Sequence, residues 1–251
     1  MNRSALRLAL PVLLLSGAAA RAEVNDCTPI TSIPTTISTP GVYCLTGDLH
    51  LGGGPGTAVT VEGVDGAVID LNGHTLYGDG NGTALLVRTS KRVTVRNGSL
   101  VSFLRAAQLQ STSYNTRLED LFIAVVGTQP AIESFAWGDV IQRNWIERGN
   151  PGIRAYGGAS RVSDNDLVSM TSGIDMDGGS NVTVEDNRVS RGSAGAGSYG
   201  IRTSGRSMVS RNNVSAFSIC FDLSTTTRYR ENVTNACTNT YTGGVTAGNN
   251  Y

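Results

Sequence analysis

The sequence predicts an all-β chain wound as a single-stranded parallel β-helix, a solenoid of about 8–10 coils of roughly 23 residues whose ends are stapled by disulfides. Three observations predict it. An Asn recurs after an apolar residue at nearly even steps along the middle of the chain. A second landmark, a Gly-Ile strand start, keeps pace with it. The composition is rich in Gly (31 of 251 residues) and poor in charge (16% Asp, Glu, Lys and Arg), against about 25% charge in ordinary domains. With 20 basic and 20 acidic residues the formal charge is zero. That excludes a basic nucleic-acid binder, a disordered acidic chain and a charged coiled coil.

The first residues read as a leader. Arg3 and Arg7 precede the apolar run Leu8–Leu15, and Ala20-Arg21-Ala22 has the shape of a signal-peptidase site. The run is too short for a permanent membrane helix. Residues 1–22 are therefore expected to be a signal peptide, with a mature start at Glu23 and 17 basic against 20 acidic residues after it. No later apolar stretch is long enough to span a membrane. The expected location is secreted or periplasmic. Residues 23–57 are assigned to an N-terminal cap and first coil, 58–233 to the β-helix, and 234–251 to a C-terminal cap or tail.

Cys27, Cys44, Cys220 and Cys237 follow the leader as two pairs, each 17 apart. An oxidising compartment favours disulfides, and four cysteines allow three connectivities. Pairing within each end, Cys27–Cys44 and Cys220–Cys237, is preferred because stacked coils hold the two ends far apart. About eight coils at ~4.8 Å span roughly 38 Å, beyond any disulfide's reach.

The repeat reads Ile69-Asp-Leu-Asn72, Ile141-Gln-Arg-Asn144, Val162-Ser-Asp-Asn165, Val184-Glu-Asp-Asn187 and Val209-Ser-Arg-Asn212, with Asn97 and Asn232 in the same row and Asp120 where an Asn is expected. Short β-branched stretches such as Val182-Thr-Val184 alternate with Gly, Ser and Asn, which is strand and turn chemistry. One such coil cannot bury its own apolar face, so it must stack on the next. Stacked Asn side chains would then bond along the axis as a ladder. Upstream lie Pro130-Ala-Ile132, Pro151-Gly-Ile153, Ser172-Gly-Ile174 and Tyr199-Gly-Ile201, each Ile 11 to 13 residues before its Asn. Leu85 and Cys220 stand 12 before Asn97 and Asn232. Trp145, directly after a ladder Asn, is a core candidate. A leucine-rich repeat has a similar period, but its L-x-x-L-x-L-x-x-N string does not recur.

Asp70-Leu-Asn-Gly-His-Thr-Leu-Tyr-Gly78, the Val-Thr-Val-x-Asn turns and the Gly-Ile strands resemble right-handed parallel β-helix proteins of the pectin-lyase-like superfamily, over roughly Ala58 to Val233. The resemblance implies that acidic polysaccharide binds on the Ile strand face. If the Ile side chains point inward, the next residues point out, and two rows result: Glu133, Arg154, Asp175, Arg202, and Phe135, Tyr156, Asp177, Ser204, with Gln108 and Gln110 before them. Rings stack on sugar faces, while Arg and carboxylates grip uronates directly or through Ca²⁺. Asp175 and Asp177, two apart, could share such a cation; no metal site is defined beyond that. Glu133, Phe135, Asp175 and Asp177 are thus the candidate substrate-binding residues. Arg154, Arg202 and Tyr156 are the candidate catalytic residues of a lyase, which needs a base and neutralisation of the uronate carboxylate. A charge ladder that merely stabilises the sheet is the competing explanation.

No complete catalytic motif is present. Ser172 stands where polygalacturonases carry their first catalytic Asp, the later Asp pair and His-Gly are missing, and the Asp-Pro-His of alginate epimerases is absent. The expected function is binding of an acidic polysaccharide, with β-elimination as its possible chemistry. The alternative is a non-catalytic surface, adhesion or scaffold rod. A monomer is expected, with no nucleic-acid partner.

Overall fold

The computed structural model describes residues 26–192 and 197–251; the expected leader lies outside them. Among the described residues there is no helix, and short strands wind into a right-handed parallel β-solenoid of about nine coils. One sheet has ten strands and contains the Ile strands. The other has eighteen and bends around the turn that carries the asparagines. Lys91–Val101 and Arg117–Ala124 run unbroken through that bend.

The inward column of the ten-stranded sheet runs Val59, Leu85, Ala107, Ile132, Ile153, Ile174, Ile201, Phe221 in register. From Ile132 to Phe221 these side chains are fully buried. The stacking has a simple cause. Each strand puts one side chain of every two inside, and the apolar surface is removed from water only when the next coil covers it. Leu85 holds its expected place, but Cys220 does not. Phe221 pairs with Ile201, and Cys220 falls one position earlier. The last regular coils are 20 residues, so the Ile-to-Asn interval shortens there to 11.

The asparagine ladder is real, and it is shifted from its expected extent. Asn144, Asn165, Asn187 and Asn212 each donate from Nδ2 to Oδ1 of the next Asn at 2.9–3.1 Å. Asn232 continues the row to Asn250 at 3.3 Å, one more rung than the repeat indicated. Each Oδ1 also accepts a backbone amide from the coil before. Asp120 is not in the row. Leu121 stands opposite Asn144 and donates its amide to Asn144 Oδ1 at 3.1 Å. Asp120, Asn97 and Asn72 instead take the left-handed turn position, at φ 54°, 59° and 56°, as do Arg143, Asp164, Asp186, Arg211 and Glu231. Asn and Asp tolerate that conformation better than other L-residues, so a turn Asn imitates a ladder Asn one residue away. Trp145 is likewise corrected. The residue after the ladder Asn points outward, Trp145 is 41% exposed, and Ile146 behind it fills the core.

The ends are closed as expected. Cys27–Cys44 and Cys220–Cys237 are both disulfides. The first ties the chain just before Thr28–Ile30 to the strand Gly41–Leu45, which pairs with it in parallel. The second joins buried Cys220 to the coil after it. No described helix is long and apolar enough to cross a membrane.

Candidate functional site

The outward row of the ten-stranded sheet places Gln108, Glu133, Arg154, Asp175 and Arg202 on successive coils, and adds Asp222 beyond them. Opposite charges alternate along it. Arg105 reaches Glu133 at 3.1 Å, Arg154 Nε lies 3.4 Å from Asp175 Oδ2, and Arg202 Nε donates to Asp222 Oδ2 at 2.8 Å. The Arg154–Asp175 approach is an ion pair without hydrogen-bond geometry, since Arg154 Nε has no hydrogen-bond acceptor. Arg154 is therefore the least committed cation of the three pairs.

Pointing away from the core does not make every member of the row exposed. Glu133 is 9% and Asp175 6% exposed. Asp175 is covered by Tyr199, a residue the repeat did not single out. Tyr199 is itself 8% exposed, and its hydroxyl donates to Asp175 Oδ2 at 2.8 Å. The Arg202 guanidinium lies 3.9 Å from the centroid of the Tyr199 ring, close enough for cation–π attraction. Burial, and then the hydrogen bond to Asp175, push the Tyr199 phenol up to about 12, so it stays protonated at neutral pH. The sequence signal for it is modest: Tyr199 begins the one Gly-Ile strand preceded by an aromatic residue.

The second row gives the face its apolar surface. Phe135 and Tyr156 are both exposed and stack with centroids 5.0 Å apart and planes 13° apart. The Arg154 guanidinium is 6.0 Å from the Tyr156 ring. Arg154 thus stands between two phenols, because it also bonds the Tyr199 hydroxyl. Asp177 is exposed at the edge of a cleft of about 300 Å³ shared with Arg202, Ser204 and Asp222. Ser204 Oγ accepts the Gly178 amide at 2.6 Å. The face therefore unites six of the seven expected residues around the aromatic stack and the Tyr199–Asp175 pair; Glu133, held by Arg105, lies at one end.

The donor set does not suit Ca²⁺, which takes six or more oxygens. Asp175 Oδ2 is occupied by Tyr199 and Arg154, and Oδ1 accepts the Asp177 amide at 3.2 Å. Among the described residues no three His, Cys, Asp or Glu side chains gather to hold a metal ion.

Ion pairs between coils are not peculiar to this face. Arg143 clasps Asp120 and Glu119, Arg211 clasps Asp186 and Glu185, and Arg188 meets Asp166 on the eighteen-stranded sheet. What distinguishes the Ile-strand face is the ring stack beside an incompletely bonded Arg and a buried carboxylate–phenol pair.

Fold and face together define a parallel β-solenoid with an aromatic and charged sheet face. No protein-family profile matches the sequence, and no curated protein matches it significantly. Among solved structures, it is similar to the enzymatically active domain of bacteriophage CBA120 tailspike protein 2, with 12% identity and a TM-score of 0.59 over 88% of this chain. The chain spans 40% of that tailspike chain. It is also similar to an alginate lyase from Paenibacillus sp. str. FPU-7, with 14% identity and a TM-score of 0.59, covering 86% of this chain and 96% of the lyase. At such identities the likeness is one of fold.

Proposed function

We propose that the protein is an extracellular member of the pectin-lyase-like superfamily that binds an acidic polysaccharide along the ten-stranded sheet and cleaves it by β-elimination. The observation that carries this reading is Arg154 held between Tyr156 and Tyr199 beside an exposed ring stack. Phe135 and Tyr156 offer a flat apolar platform for a sugar ring. Arg154 and Arg202 neutralise the uronate carboxylate, which acidifies the neighbouring C5–H bond. The Tyr156 phenol removes that proton, the electron pair forms the C4–C5 double bond, and the C4–O bond breaks. The departing glycosidic oxygen takes a proton from Tyr199, which Asp175 holds in place. The two disulfides suit a secreted or periplasmic protein, and the fold shared with an alginate lyase supports the substrate class.

The test is direct. Incubate the protein with alginate, pectate and glycosaminoglycans, with and without Ca²⁺, and follow the ultraviolet absorbance of unsaturated uronate. A rise with one substrate supports elimination. No rise with any of them removes it and leaves binding to be tested by retention on acidic-glycan columns.

A second reading has its own support. Because Arg–carboxylate pairs link the coils on other faces as well, the charged row of this face can be sheet stabilisation alone, worth about 0.2–1 kcal/mol per pair. A non-catalytic surface or scaffold rod would show neither absorbance change nor retention.

A further inference from the structure

A second aromatic site stands on the eighteen-stranded sheet, away from the charged face. Phe122 and Trp145 are paired in register on adjacent coils. Both are outward, at 38% and 41% exposed. They are not stacked on each other as Phe135 and Tyr156 are, so each keeps a ring face for a ligand. Together with Gly73, Ser99, Asp120 and Arg143 they line a cleft of about 220 Å³. That is below the ~300–1,000 Å³ of pockets for drug-sized ligands, and it matches a single ring unit.

The polar wall of the cleft is rigid and electrically balanced. Arg143 Nε donates to Asp120 Oδ1 at 2.9 Å and Nη2 to Asp120 Oδ2 at 3.0 Å, with a further bond to Glu119 at 2.9 Å. Arg117 lies 3.6 Å from the same Glu119. Two guanidinium groups therefore face two carboxylates. Trp145 Nε1 is tied to Glu147 Oε1 at 3.1 Å, which fixes the indole plane. A uronate would bring a charge with no uncompensated cation to meet it. A neutral pyranose would set its C–H face on the rings and its hydroxyls against the carboxylates, the guanidinium and Ser99 Oγ.

We propose that Phe122, Trp145 and the Arg143–Asp120 pair form a binding site for a neutral hexopyranose unit, separate from the acidic-glycan face. It does not depend on elimination occurring at that face.

The chain has two tryptophans, so Trp137→Phe leaves Trp145 as the sole indole reporter. Titrate that variant with cellohexaose, maltohexaose and mannohexaose, and with an alginate hexamer. The expected result is a saturable shift of indole emission with at least one neutral hexamer. Adding Phe122→Ala should weaken it tenfold or more, and Arg154→Ala should leave it unchanged. No saturable shift with any neutral hexamer, a response to the alginate hexamer alone, or a shift abolished by Arg154→Ala would each overturn the assignment. Circular dichroism of every variant confirms that the solenoid is intact.

Discussion

The hydroxyl of Tyr199 donates a 2.8 Å hydrogen bond to Oδ2 of Asp175, joining two adjacent coils across 24 residues of sequence. The bond buries a carboxylate on a face that strand alternation alone would leave wet. Tyr199→Phe removes only the hydroxyl. The rate of elimination should fall about 100-fold, stability should fall by about 1 kcal/mol, and retention on an alginate column should hardly change. Undiminished turnover would take Tyr199 out of the chemistry and leave it a structural cover for Asp175.

Arg154 is the cation with spare bonding capacity, and Tyr156 presents the exposed ring beside it. Arg154→Ala and Tyr156→Ala should each weaken retention on an acidic-glycan column, by roughly tenfold for the loss of a charge-assisted contact. Neither substitution touches the core column. Elution of both variants with the wild type would place the binding surface elsewhere.

Asp139 lies fully buried on the eighteen-stranded sheet, accepting from Ser134 Oγ at 2.5 Å and from the Thr116 amide at 2.9 Å. Burial pushes its carboxyl up to about 6, against the pull of those two bonds. The folded chain therefore holds this proton more tightly than the unfolded chain does. That contribution is present in full below about pH 4 and is lost as pH rises through about 6, a change of about 3 kcal/mol. Asp139→Asn cannot lose it. Urea midpoints should shift in favour of the variant between about pH 4 and about pH 7.5. Two stability curves that run parallel across that interval would contradict the assignment.

Asn187 sits inside the ladder. Its Nδ2 donates to Val162 O and Glu185 O at 2.9 Å and to Asn212 Oδ1 at 3.0 Å, while Oδ1 accepts from Asn165. Asn187→Ala leaves several buried groups unpaired, a loss of about 3 kcal/mol or more. The melting temperature should fall by about 6–12 °C. Asn97→Ala, at a turn position, should cost about 1 kcal/mol through its left-handed backbone and the lost bond to Asp70. Equal losses for the two would mean that the ladder adds nothing beyond its turn.

The ladder also shows how far the sequence could be read. From Asn144 to Asn232 the period and the Asn coincide, and the row is visible in one dimension. At Asn72, Asn97 and Asp120 the same residue types serve the neighbouring turn position, and only the backbone dihedrals separate the two roles. Asn250 was hidden because the chain before it lacks the repeat's apolar residue at the usual spacing. On the candidate face, the outward rows were legible from alternation. Tyr199 was not, because it lies two residues before its Ile, on a coil whose step from Asp175 to Arg202 is 27 residues where the two before it are 21.

The amino-acid order alone was enough for the coil period, the inward Ile column and the pairing of cysteines within each end. All three follow from one requirement, that each coil cover the apolar face of the last, which repeats along the chain and leaves a spacing behind. The three-dimensional stacking decided which asparagines join hands, that Asp175 is sheltered under Tyr199, and that Arg154 is left partly free. Those outcomes turn on small differences in coil length, which slide side chains past one another between coils, and no local pattern of residues encodes where such a slide will end.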